Sequence, residues 1–175
     1  MLRRLFRSRT ARVSGADLYA RAVAQARDER FYLQLGAPDQ IDARFELYTL
    51  HVLLLSMRLH QEGANGADAA QDLFDAYVSA LDHSLRELGV GDLSMSAKMR
   101  KLGGQLYGRM TAYETPLKAG DRDVLIEVLT RNLYGDADSA GAGTIADYAL
   151  ASRASLAAQS LAAVLAAPAW AEIKI

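Results

Sequence analysis

An all-α bundle of about six helices is the fold class this sequence predicts, and three observations predict it. Apolar residues recur at spacings of three and four along most of the chain. No segment sustains the alternation of β-branched residues and hairpin turns that a sheet requires. Serine and aspartate stand where helices would start, glycine and proline where they would stop. There is no internal repeat, and 175 residues suit a single domain, assigned to 14–175 behind a basic N-terminal tail at 1–13.

The elements follow in order. Ser14 is placed to cap a first helix with Asp17 in its first turn, and Leu18, Val23, Phe31 and Leu35 supply its apolar face up to the stop at Gly36 and Pro38. Asp39 is expected to open the second helix, over 40–62. That helix is apolar on one side through Ile41, Phe45, Tyr48 and Val52, and on another through Leu47, Leu50, Leu54 and Met57, so it reads as the central helix. Gly63 and Gly66 bracket a turn, and Phe74, Val78, Leu81, Leu85 and Leu88 make the stripe of a third helix. Gly89 suits a left-handed C-terminal residue there, with Val90 folding back.

A fourth helix from near Ser94 carries Met95, Met99, Leu102, Leu106, Met110, Tyr113 and Leu117 as its core stripe. Asp121 begins a fifth carrying Val124, Leu125, Val128, Leu129 and Leu133, and Gly135 ends it. The small, polar residues 136–143 are expected to form a flexible linker. An alanine-rich last helix then runs over 144–166, and Pro168 closes it.

Composition narrows the function classes. Hydrophobic content of 51% with 23% charge is that of a globular chain with a real core, not a disordered one. Twenty Lys and Arg against 21 Asp and Glu give a net charge of -1, so no global field points to nucleic acid as a partner. The absence of cysteine removes disulfides, thiolate nucleophiles and cysteine-ligated metals, and fits a cytoplasmic or other reducing compartment. The longest apolar run, 50–57, is far short of the roughly 20 residues that span a bilayer. The tail is different in character: Arg3, Arg4, Arg7 and Arg9 interleave with Leu2, Leu5 and Phe6, and no acidic residue precedes Asp17. It is either a solvated tail or a weak contact to an anionic membrane surface, such as the face of an inner membrane.

Catalytic chemistry finds no seat. His51 and His60 lie about 180° apart on one helix and cannot share a metal. His51, set among apolar residues, is expected to be a hydrogen-bonded core histidine. Asp68, Asp72 and Asp75 stand where the dipole of the third helix favours negative charge, and Asp82 should pair with Arg86 one turn on. No phosphate loop or nucleophile elbow is present, and neither cofactor nor metal is expected.

The stretch from Leu85 to Tyr113 is the most distinctive. At about 100° per residue, Lys98, Lys101, Gln105 and Arg109 form a basic stripe a quarter-turn from the core stripe, and Gly104 and Gly108 fall almost opposite it. Two helical glycines cost roughly 1 kcal/mol each relative to alanine, which points to another backbone approaching there. That backbone belongs either to another helix of the same chain or to a partner. The cations, likewise, are either a solvated face or part of a docking surface. The expected partner-binding set is Arg86, Lys98, Lys101, Gly104, Gly108 and Arg109, with Lys101, Gly104 and Arg109 pointing outward.

Two segments, PDQIDARFELYTLHVLLLSMRLHQEG (38–63) and LRELGVGDLSMSAKMRKLGGQLYGRMTAY (85–113), together resemble the ubiquinol-cytochrome c chaperone family. The resemblance rests on Arg44, Phe45, Leu50, His51, Leu54 and Arg58 in the first segment. In and just before the second it rests on Asp82, Arg86, Gly89, Gly91, Asp92, Lys98, Tyr107, Gly108 and Arg109. It continues through Arg131 and Asn132 and covers most of the chain from about Asp17 onward. The pair Gly103-Gly104 departs from the bulkier or charged helix formers expected of the family, and the long N-terminal extension of the mitochondrial members is not seen.

The resemblance implies a non-catalytic assembly chaperone for the cytochrome bc1 complex, attending to a membrane-protein client such as newly made cytochrome b. The alternative, of another class, is a peripheral membrane protein that binds lipid or quinone through the Arg-rich N-terminus.

Overall fold

A computed structural model of the protein describes residues 13–87 and 92–175, with backbone only for 85 and 92–103. The described residues form eight α-helices and one π-helical turn. The tail bearing Arg3, Arg4, Arg7 and Arg9, and the expected cap at Gly89, lie outside them.

Helix α1 (Gly15–Ala26) starts with a complete capping box, in which the Ser14 hydroxyl accepts from the Asp17 amide and the Asp17 carboxylate accepts from the Ser14 amide. The expected first helix breaks at Asp28, whose carboxylate accepts from the Arg30 amide and starts a separate short helix, α2 (Glu29–Leu33). Helix α3 (Ile41–His60) is the centre of the fold, buried on nearly all sides from Leu47 to Leu59 and packed against α1, α4, α5, α7 and the π turn described below. It has no side-chain cap: Asp39 instead accepts a 2.6 Å hydrogen bond from Nε of Arg44. Ile41, expected in the core, is 65% exposed.

Helix α4 (Ala64–Glu87) buries a face that is rotated from the predicted stripe and shares it only in part. Ala70, Leu73 and Tyr77 are buried, while Phe74 is exposed and Val78 and Leu81 lie at the flank. The cause is close packing of small residues. A Cβ on Gly66 would collide with the Leu59 carbonyl, and one on Gly15 of α1 with the Asp72 carbonyl, so backbones approach where side chains are absent.

Helix α5 (Asp92–Ala119) buries Leu106, Tyr113 and Leu117, as the stripe predicted for this part of it. Asp121 caps α6 (Arg122–Leu129), and a π turn (Thr130–Tyr134) follows directly, with Leu133 and Tyr134 buried. Residues 136–141 are mostly exposed, and the connection is anchored at its two ends. Tyr134 Oη donates to the Leu35 carbonyl at 2.6 Å, and Gly141 lies so close to that carbonyl that no Cβ would fit.

The last helix is two: α7 (Ala142–Ala158) and α8 (Leu161–Ala166), the second capped by Ser160. Beyond Pro168 the chain returns to the body. The Gln159 amide exchanges two hydrogen bonds with the backbone of Ala169, and Ser152 Oγ accepts from the Ala171 amide. Ile173 is buried, and Trp170 sets its ring edge against His51.

Candidate docking groove

The first half of α3 presents Ile41, Arg44, Phe45 and Tyr48, spaced by three and four, to a groove of about 1200 Å³. The other walls come from Tyr19 and Arg27 of α1 and its end, Leu81, Ser84 and Glu87 of α4, Gln105 and Arg109 of α5, and the π turn with residues 135–137. An extra residue in the helical ladder widens the turn locally, and such turns recur at functional sites. Here the π turn places Asn132 and Tyr134 on the wall.

The floor is aromatic. Beneath the lining rings of Tyr19 and Phe45, the buried Tyr77 stacks against the first at 5.6 Å and the second at 6.4 Å between ring centroids. Its hydroxyl is held 2.7 Å from Thr49 Oγ1, which itself lies 2.8 Å from the Phe45 carbonyl. Burial pushes the Tyr77 hydroxyl well above the usual phenol range, so it stays a neutral donor.

Three guanidiniums surround this floor, each 5.5–5.7 Å from a ring centroid: Arg27 with Tyr48, Arg44 with Tyr32, and Arg109 with Phe45. Their polar partners differ. Arg44 pairs with Asp39, whose hydrogen bond raises the basicity of the guanidinium. Arg109 forms an ion pair with Glu46, a carboxylate fully buried under the groove, which also accepts from Tyr113 Oη at 3.0 Å. Burial again raises the Tyr113 hydroxyl above its ordinary range, an effect that the Arg109 charge and a hydrogen bond to Asn132 partly offset. Arg27 has a neutral partner: its Nε donates to Tyr48 Oη at 2.8 Å.

A second buried polar site lies farther along α3. His51 is fully buried, with Nδ1 2.7 Å from the Leu47 carbonyl and Nε2 2.9 Å from Tyr148 Oη. Phe31 and Trp170 close around it at ring-centroid distances of 5.6 and 5.1 Å. Burial pushes its pKa down to about 4, against the smaller opposing effect of the Leu47 hydrogen bond. The imidazole is therefore neutral, donating through Nδ1 and accepting through Nε2. It is the satisfied core histidine expected from its apolar neighbours.

The expected site residues divide. Gly104 and Gly108 are exposed, and a Cβ on either would meet nothing within 4 Å among the described residues, so no described segment covers them. Arg109 differs from expectation: about a third of its side chain is exposed, but its guanidinium turns inward to Glu46. A buried carboxylate requires a counter-charge, and that requirement outweighs solvation of the cation. Arg86 pairs with Asp82 at 2.8 Å, as its spacing predicts, and stands outside the groove walls. Lys98 and Lys101 lie on α5 where backbone alone is described. Sequence reading missed Arg27, Arg44, Tyr48 and the π turn as groove elements. The one local signal is the run of large residues on the exposed side of α3, where apolar periodicity alone points to the core.

Among the described residues, no group of three His, Asp or Glu side chains could hold a metal ion, and no helix is long and apolar enough to cross a membrane.

Residues 33–171 match the family model described as ubiquinol-cytochrome C chaperone. The chain is 21% identical over 122 residues to ubiquinol-cytochrome-c reductase complex assembly factor 1 of Xenopus laevis. That match covers 70% of this chain and 60% of the relative, so the chain spans less than two thirds of that curated protein. The crystal structure of the Cbp3 homolog from Brucella abortus is similar with a TM-score of 0.82 and 35% identity, covering 89% of this chain and 87% of that one.

Proposed function

This chain belongs to the ubiquinol-cytochrome C chaperone family, and from that premise we propose that it holds cytochrome b, without chemical turnover, while the cytochrome bc1 complex is assembled. The observation that supports a holding role is the open groove beside α3, where aromatic rings and guanidiniums are offered to a partner together. Interface cores favour that composition, because tyrosine, phenylalanine and arginine combine large contact area with directional polar contacts. Beside it, the uncovered backbone at Gly104 and Gly108 allows a second chain to approach closely. Arg109, Gly104 and Gly108 therefore stay in the proposed partner surface. Arg86, Lys98 and Lys101 are proposed as its outer cations, and Arg3, Arg4, Arg7 and Arg9 as a contact to anionic lipid that keeps the protein near its client.

Affinity capture from native membranes, with identification of the bound proteins, tests this. Enrichment of cytochrome b over a tag-only control, reduced by Ile41→Asp at the groove rim, is the expected result. Normal bc1 assembly in cells lacking the protein, with no bc1 subunit captured, would overturn it. Flotation with anionic vesicles tests the N-terminal contact separately, since removal of residues 1–12 should abolish recruitment.

A further inference from the structure

The groove has a charge pattern that narrows what it can hold. Its walls carry Arg27, Arg44 and Arg109 together with Asp42, Glu87 and Asp136, so it has no net excess of positive charge. A sheet of anionic lipid headgroups would gain little from such a surface. A protein segment with its own mixed charges would gain specificity from it. The interior is apolar and aromatic, through Phe45, Tyr48 and Leu81, and Ile41 stands exposed at the rim. The volume of about 1200 Å³ accommodates on the order of three turns of a helix about 10 Å across.

The three arginines are unequal in what they leave unsatisfied. Arg44 and Arg109 already face carboxylates, Asp39 and Glu46. Arg27 is exposed, and its polar partner among the described residues is the Tyr48 phenol, which orients the guanidinium without neutralising it. A guanidinium fixed by one Nε hydrogen bond over an aromatic ring keeps its outer N–H pair available for a bidentate carboxylate.

We propose that the groove takes an amphipathic helix of the client, whose apolar stripe lies on Phe45 and Tyr48 and whose flanking carboxylate is received by Arg27. This rests on the client-holding function and specifies the chemistry of the segment held. Arg109, already bound to Glu46, lines the groove from α5 and lends its remaining N–H groups. Ile41 covers one edge of the helix.

The test uses the full chain and two fluorescein-labelled model helices of about 18 residues, alike in an alanine and leucine face and in flanks of balanced charge. One carries a single glutamate and the other a single lysine at the flank that meets Arg27, because Asp42, Glu87 and Asp136 on the walls would repel a uniformly acidic helix. Anisotropy titrations at low salt are expected to show the glutamate helix binding about tenfold tighter than the lysine helix, with the preference shrinking as salt is added. Arg27→Glu should remove or invert that preference, and Ile41→Asp should weaken both helices. Both residues are exposed, and thermal melts confirm that the variants stay folded. Equal binding of the two helices by the wild-type chain overturns the proposal. So does recruitment to phosphatidylglycerol vesicles through Arg27 with neither helix bound. Native-membrane capture separates the two levels. Cytochrome b captured equally by wild type and Arg27→Glu overturns the groove assignment and leaves the function standing. A clear glutamate-helix preference with no cytochrome b captured supports the groove and removes the client.

Discussion

Glu46 and His51 are buried on the same helix little more than a turn apart, yet their surroundings have opposite designs. His51 is enclosed: its two ring nitrogens are matched to Leu47 and Tyr148, and Phe31 and Trp170 exclude water from its faces. Burial is settled there by neutrality. Glu46 accepts a hydrogen bond from Tyr113 at one oxygen, and its other oxygen is met by charge alone, as Arg109 reaches from the half-open wall of a groove to form the ion pair. The first arrangement can only hold the fold together. The second ties the fold to the wall of an open groove, so α3 is a structural core in one part and the base of the proposed recognition site in the other.

Breaking the Glu46 arrangement should have the largest effect on stability. Arg109→Met would leave a buried carboxylate without its cation and cost about 3 to 4 kcal/mol, toward the lower part of the range for such pairs because Arg109 is a third exposed. At roughly 2–4 °C per kcal/mol for a domain of this size, the melting temperature should fall by on the order of 10 °C. Adding Glu46→Leu should recover most of that loss, because an apolar side chain removes the unmatched charge. A single variant that melts with the wild type would show that Glu46 does not depend on Arg109.

The His51 site should reveal itself through pH. Its folded pKa, about 4, lies below the ordinary 6.5, so between those values the unfolded chain binds the proton more readily than the folded one. Stability is complete above about pH 6.5 and is lost as pH falls toward 4, by up to about 3 kcal/mol. The carboxylates of Asp28, Asp39 and Asp147 are held below their ordinary 3.8 by hydrogen bonds from arginines, so their contributions are lost at lower pH still. Urea unfolding at pH 7, 5.5 and 4.5 measures the slope, and His51→Leu should flatten it in this window. An unchanged slope in that variant would place the titrating group elsewhere.

The two regions were unequally legible in the sequence. His51 could be read from its apolar neighbours, and the Asp82–Arg86 pair from its spacing, because both follow from position along one helix. The exposure of Gly104 and Gly108 followed from angular arithmetic on α5. The groove did not, since its walls come from α1, α3, α4, α5 and the π turn, and no local pattern records which elements meet. The inward turn of Arg109 depends on Glu46, distant in the chain. In α4, periodicity points inward through Phe74, Val78 and Leu81, but Gly66 lets the Leu59 carbonyl of α3 come near, and Ala70, Leu73 and Tyr77 fill the buried face. Six predicted helices became eight because Asp28 and Ser160 start new helices inside segments that periodicity alone joins.

The smallest stability effect separates fold from recognition most directly. At Gly104 and Gly108 a Cβ meets nothing within 4 Å, and the backbone is helical at both. Alanine there should stabilise by roughly 0.5–1 kcal/mol each, since glycine loses the most conformational freedom on folding. Gly66→Ala should do the reverse, because its Cβ would strike the Leu59 carbonyl. A gain at α5 and a loss at α4, measured in urea, would confirm that one glycine face is open and the other sealed. If Gly108→Leu also keeps its melting temperature but captures less cytochrome b, the energy given up by helical glycine is recovered in the complex, where a partner backbone occupies the space. Equal capture by that variant would remove this face from the docking surface while leaving the groove beside α3 untouched.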